Sequence, residues 1–96
     1  MLEFLPEAEE EVSVATRHYE ACRAGLGVRF RREVESACMA ITQHPLLWRK
    51  RRGGFRRVNL PGFPYYIAFF LRGERIVVAA VGHASRHPGY WKERFS

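Results

Sequence analysis

Two helical stripes fill the first half of the chain and constrain its fold more than any other feature. Ala8, Val12, Ala15, Tyr19 and Cys22 recur in steps of four and three, and so do Leu26, Phe30, Val34, Ala37 and Ile41. Such steps keep each set on one face of an α-helix. Pro6 suits a first helical turn, where its missing N–H has no partner to lose, and Glu7, Glu9, Glu10 and Glu11 follow at the partially positive helix end. Gly25 and Gly27 bracket Leu26 and give the backbone freedom that ends one helix and turns the chain, and Pro45 closes the second. A connection this short joins antiparallel neighbours, so residues 6–44 are expected to form a helical hairpin.

The period changes after Gly53-Gly54. Short apolar runs at Phe55–Leu60, Tyr65–Leu71 and Ile76–Gly82 are separated by Pro61-Gly62 and by Arg72-Gly73-Glu74-Arg75, the pattern of a three-stranded antiparallel meander. The middle run is apolar at both alternating sets, Tyr65, Ile67, Phe69 and Leu71 on one side and Tyr66, Ala68 and Phe70 on the other. One face is expected to meet the helices and the other to be partly covered. Leu2–Leu5 is a candidate fourth, edge strand. The fold class is therefore α+β, an N-terminal antiparallel helical hairpin packed on a small antiparallel sheet of three to four strands. With 96 residues, below the ~100–200 typical of one domain, residues 1–96 make a single domain. A chain this size buries roughly 60–70% of its unfolded surface and needs neither metal nor disulfide.

Charge divides the chain more sharply than its net +6 suggests. Residues 1–48 carry five Arg against eight Glu, a net −3, while residues 49–96 carry eleven Lys and Arg against two Glu, a net +9. The densest run is Arg49, Lys50, Arg51 and Arg52, followed closely by Arg56 and Arg57. The basic half implies a polyanionic partner, either nucleic acid or an acidic protein segment. The apolar runs fall far short of the ~20 residues that span a bilayer. The acidic N-terminus is the reverse of a signal peptide, so a cytoplasmic location and no membrane partner are expected. Cys22 and Cys38 sit at different levels of the predicted hairpin and are expected to be free thiols. His83 and His87 are four apart but in a segment bounded by Gly82 and Pro88-Gly89, so no metal and no cofactor are expected.

Three segments together resemble the RelE/ParE superfamily of toxins from bacterial toxin–antitoxin and plasmid-stabilisation systems. They are Pro6-Glu7-Ala8 with His18-Tyr19-Glu20; Gly25-Leu26-Gly27-Val28-Arg29-Phe30 running through Glu33-Val34 to Ile41 and Pro45; and Arg56-Arg57-Val58 with Phe63-Pro64-Tyr65 and the closing residues from Gly82 to Trp91. The resemblance implies the same helical hairpin on a small sheet. It also implies one of two activities. RelE-like members cleave messenger RNA on the ribosome, and ParE-like members poison DNA gyrase without nuclease chemistry. Cleavage by the 2′-oxygen needs proton acceptors, proton donors and phosphate-holding cations. The nuclease branch carries one such arginine after a Gly-aromatic pair, where this chain has Pro64 after Gly62-Phe63, and another two residues past the glycine that ends the last strand, where this chain has Ala84. Arg57 and Asn59 stand where that branch has two lysines, and Tyr90 matches its C-terminal tyrosine. Phe63-Pro64-Tyr65 and the His83, Arg86, Pro88, Tyr90-Trp91 pattern resemble the ParE-like branch more closely.

The reading that follows is a ParE-like toxin, without enzymatic activity of its own, neutralised by a cognate antitoxin with an acidic-amphipathic tail and directed at DNA gyrase. The expected partner-binding residues are Arg49, Lys50, Arg51, Arg52, Arg56, Arg57, His83, Arg86, Tyr90 and Trp91. Tyr90 and Trp91 are equally suited to a lid over the sheet. The alternatives are a ribosome-dependent endoribonuclease built on Arg57, Arg86, His87 and Tyr90, with messenger RNA and ribosome as partners, and a non-toxic member of the superfamily acting only as a binding module.

Overall fold

A computed structural model describes residues 1–95 of the chain. The elements run β1 (Leu2–Phe4), α1 (Pro6–Cys22), α2 (Leu26–Gln43), β2 (Arg56–Asn59), β3 (Tyr65–Arg72) and β4 (Arg75–His83), followed by a single 3-10 turn at Lys92–Phe95. Pro6 opens α1 with Glu7 and Glu9 in its first turn, as the sequence predicts. Glu20 fixes the turn between the helices by accepting the N–H groups of Gly25 at 2.9 Å and Gly27 at 3.0 Å. Gly25 has φ +89°, a conformation that favours glycine. Gly27 is required for a different reason. A Cβ there would lie 2.7 Å from the Thr16 carbonyl oxygen, so the two helices approach at a distance that admits only hydrogen.

The sheet order is β1-β4-β3-β2. Pairs β2–β3 and β3–β4 form the expected antiparallel meander. β1 does form, but it joins β4 in parallel, so the sheet is mixed and not antiparallel throughout. Alternation of side chains is the same in both ladder types, and the sequence pattern therefore specifies a strand without specifying its neighbour's direction. A bulge adds one twist to the meander. Ala68 pairs with Ala80 and Phe69 with Val78, leaving Ala79 as the extra residue of β4. Val78 and Val81 consequently face the helices, while Ala79 and Ala80 face the other side.

Both faces of the sheet are covered. Ala8, Val12 and Ala15 of α1 and Phe30, Val34 and Ile41 of α2 pack on Ile67, Phe69 and Val78 to form the main core. On the opposite face Tyr66, Ala68, Phe70, Ala79 and Ala80 are covered by Trp91, which is 1% exposed. Trp91 meets Phe55 edge-on at 4.7 Å and Phe70 at 6.0 Å, and its Nε1–H donates to the Tyr66 hydroxyl at 3.2 Å. Of the two roles the sequence leaves open for Trp91, lid and surface contact, the side chain takes the lid. Cys22 and Cys38 are both free. No helix among the described residues is long and apolar enough to cross a membrane.

Replacing Gly27 by Ala is expected to lower stability by about 1–3 kcal/mol, because the methyl group would be forced into the α1 backbone. A urea midpoint unchanged from the parent chain would contradict the close helix approach.

Candidate functional site

The residues after β4 fold back over the sheet, and one carboxylate fastens them. Glu11 lies on α1 one turn from Ala8 and Ala15, so its side chain reaches the sheet with theirs. Its Oε1 accepts the Val81 N–H at 2.9 Å and Arg94 Nη1 at 3.0 Å, and its Oε2 accepts Arg94 Nη2 at 3.0 Å and the Tyr90 hydroxyl. Arg86 adds a longer contact at 3.5 Å. Arg94 also donates to the Ala79 carbonyl at 2.9 Å. The Glu11 side chain is only 15% exposed, and each of its oxygens has at least two donors, which offsets the removal of the charge from water.

This arrangement sets the chemistry of Tyr90. Burial, and then the hydrogen bond to the Glu11 carboxylate, push its phenol well above the ordinary value of 10.0. The Arg86 guanidinium lies 3.6 Å from the centre of the Tyr90 ring, and Arg94 lies 5.2 Å from it. Gly82 makes room beneath: a Cβ there would stand 2.6 Å from the Tyr90 hydroxyl and 3.2 Å from that of Tyr66. Arg57 covers the Tyr66 ring at 4.0 Å and donates through Nε to Asn59 Oδ1 at 3.0 Å. Arg57, Tyr66, Tyr90 and Arg86 thus form one strip across the sheet, with each ring capped by a cation. His87 is exposed, and its carbonyl accepts the Tyr90 N–H at 3.2 Å. His83 stacks edge-on against Tyr65 at 5.1 Å, and its Nδ1 accepts the Ser85 N–H at 3.0 Å.

Arg56 and Arg57 are neighbours in β2 and point to opposite sides. Arg56 donates to the Trp48 carbonyl at 2.7 Å, holding the loop that precedes the strand, so it is a brace and not part of the Arg57 strip. That loop turns at Arg51–Phe55, where the Arg51 N–H meets the Phe55 carbonyl at 2.7 Å. Edge-on packing of Phe55 against Trp91 brings the loop beside residues 88–92. Between them lies a cleft of about 330 Å³ lined by Arg49, Arg51, Arg52, Phe55, Pro88, Gly89 and Lys92. It contains four cations and no carboxylate. Lys50 belongs to the same exposed run without lining the cleft.

A second concavity, of about 680 Å³, runs between the helices and the β1 edge. Phe4, Val12, Val34 and Cys38 give it apolar walls, and Glu9, Glu10, Glu35 and Arg31 rim it. Burial pushes the Cys38 thiol up to about 11. Exposed aliphatic side chains lie elsewhere on the hairpin and on the loop after it, at Val14, Val28, Met39, Leu46 and Leu47. Among the described residues no cluster of His, Cys, Asp and Glu could hold a metal ion.

The sequence singles out Arg57, Arg86 and Tyr90, and the structure brings all three onto one strip. It does not single out Glu11, Arg94, Tyr66 or Lys92, which hold or extend that surface. Glu11 carried a signal: it falls in step with Ala8 and Ala15 on the inward face, a position where a lone carboxylate needs partners.

A helical hairpin thus covers one face of a small mixed sheet, a C-terminal lid covers the other, and a cationic loop lies beside it. A solved structure of the chromosomal ParDE TA system from P. aeruginosa has a similar fold, with a TM-score of 0.65, at 15% identity over 85% of this chain and 92% of that one. No curated protein matches the chain. The family model for the ParE toxin of the type II toxin–antitoxin system, parDE, matches residues 2–88. The chain belongs to the ParE toxin family.

Two outcomes test the latch. Glu11→Ala is expected to destabilise the fold by about 3 kcal/mol, since it leaves buried donors without an acceptor. Because the Tyr90 phenol is raised in the folded state, its contribution is complete below pH 10.0 and falls as pH rises above that value. Tyr90→Phe should therefore flatten the alkaline loss of stability measured by urea unfolding. An alkaline limb identical in the two proteins would contradict the placement of the phenol.

Proposed function

We propose that this chain is the toxin of a type II toxin–antitoxin pair that acts by binding, with DNA gyrase as its target, and that a cognate antitoxin neutralises it. Membership of the ParE family supports the toxin and antitoxin roles. The observation that carries binding over catalysis is the occupation of the Tyr90 hydroxyl by Glu11. A phenol that donates to a carboxylate and sits beneath a guanidinium is held as a neutral structural group. It is not poised to exchange protons with a nucleic-acid oxygen. Pro64 and Ala84 stand where the resemblance would require further phosphate-holding cations.

The antitoxin seat follows from chemistry. The cleft of Arg49, Arg51, Arg52 and Lys92 attracts an acidic tail, and the walls of the groove at Phe4, Val12, Val34 and Cys38 receive its apolar side chains. A tail that bridges both would reach from the hairpin to the C-terminal lid. His83, Arg86 and Lys50 are further exposed or half-exposed contacts for the same partners.

Purified chain is expected to inhibit supercoiling by gyrase while leaving messenger RNA intact in a translating extract. Site-specific cuts in that messenger, abolished by Arg86→Ala, would overturn the reading. Titration with the co-encoded acidic protein should raise Tm, weaken with salt and slow alkylation of Cys38 relative to Cys22. Binding that leaves Cys38 as reactive as before would remove the groove from the antitoxin seat.

A further inference from the structure

The basic cleft has a composition that suits a more specific ligand than an acidic peptide. Its cations are Arg49, Arg51, Arg52 and Lys92, and its remaining lining is Phe55, Pro88 and Gly89. The placement of Lys92 is built in: Gly89 has φ +79°, and a Cβ there would lie 2.6 Å from Lys92 Cε, so the lysine stem lies directly over the glycine backbone. The opposite wall is also held. Arg56 ties the loop through the Trp48 carbonyl, and the Arg51 N–H closes its turn on Phe55. Among the described residues none of the four cleft cations forms an ion pair.

Three ligand chemistries compete for such a site. A peptide would need desolvated apolar anchors, and the main apolar residue of the cleft, Phe55, is already packed edge-on against Trp91. A single-stranded nucleic acid would need free aromatic faces for its bases. The rings of this side of the molecule already have partners: Phe55 and Phe70 pack edge-to-face with Trp91, Tyr66 lies under Arg57 and Tyr90 under Arg86. A duplex needs neither anchors nor stacking platforms, only cations set along its phosphates, with guanidinium groups matched to phosphate oxygens.

We propose that the cleft between the Arg49–Arg52 loop and Lys92 binds the sugar-phosphate backbone of double-stranded DNA. The choice of DNA over other duplexes rests on the gyrase reading above, since that target works with DNA in place. The contact is independent of sequence and adds to whatever the protein surface of the target supplies. An acidic tail seated on the same cations excludes the duplex, which gives the antitoxin a second route to neutralisation.

The test is fluorescence anisotropy of the full chain with a labelled random-sequence duplex of about 20 base pairs, across a salt series and without gyrase. Engagement of four cations predicts a slope of log K on log salt of about −3 to −4. Lys92→Gln should make that slope shallower by about one. The quadruple variant R49Q/R51Q/R52Q/K92Q should lose nearly all of it. R17Q/R23Q/R31Q/R32Q, which removes four exposed arginines from the hairpin, should keep it. Far-UV circular dichroism and Tm of each variant report that the fold is retained. Equal losses in the two quadruple variants would mean diffuse charge and overturn the proposal. Single-stranded RNA, duplex RNA or polyglutamate binding as tightly as the DNA duplex would also overturn it. A negative result here leaves the gyrase and antitoxin experiments standing, because neither reads binding of the chain to DNA alone.

Discussion

The sheet is apolar on both faces, and the rest of the molecule answers to that constraint. Ile67 and Phe69 need one cover, and Tyr66, Ala68 and Phe70 need another. The helical hairpin supplies the first, and the segment ending in Trp91 supplies the second. Each large side chain buried in this way contributes about 1.5–3 kcal/mol, so neither cover is dispensable in a chain of 96 residues. Glu11 joins the two. It starts in the hairpin and ends among donors from β4 and the C-terminal segment, so the two covers are fastened to one another across the sheet edge.

That fastening shapes what the surface can do. Tyr90 and Arg86 are drawn into a structural network, and Arg57 lies flat on Tyr66. A strip of capped rings is a rigid platform with little free chemistry. The uncommitted charge lies to one side, in the loop at Arg49–Arg52 and at Lys92, and the uncommitted apolar surface lies on the other, in the groove beside β1. Separation of the two suits a partner that wraps around the chain. The proposed function rests on surface complementarity, because many activities share one fold.

The main elements were legible because they repeat. The steps from Ala8 to Cys22 and from Leu26 to Ile41 placed both helices, and the two-sided apolarity of Tyr65–Leu71 announced a strand covered on both faces. The parallel pairing of β1 was not legible, since alternation carries no direction. Nor was the bulge at Ala79, which a run of Val and Ala conceals. At the site, Arg57, Arg86 and Tyr90 stood out by type and position. Their partner Glu11 sat in a run of N-terminal glutamates that the helix dipole already explained, and Arg94 lay beyond the residues that carried the resemblance. Trp91 was ambiguous because the sequence alone does not say which way a terminal segment folds.

The central claim is that this toxin works by binding and keeps Tyr90 as a structural phenol. The most direct measurement is growth arrest and gyrase-linked DNA breakage in cells expressing the Tyr90→Phe chain, with its folded state checked by circular dichroism. The substitution removes the hydroxyl and leaves the ring beneath Arg86. The account predicts that arrest and breakage persist with messenger RNA intact. A folded Tyr90→Phe chain that no longer arrests growth, while the parent chain cuts messenger RNA, would contradict it.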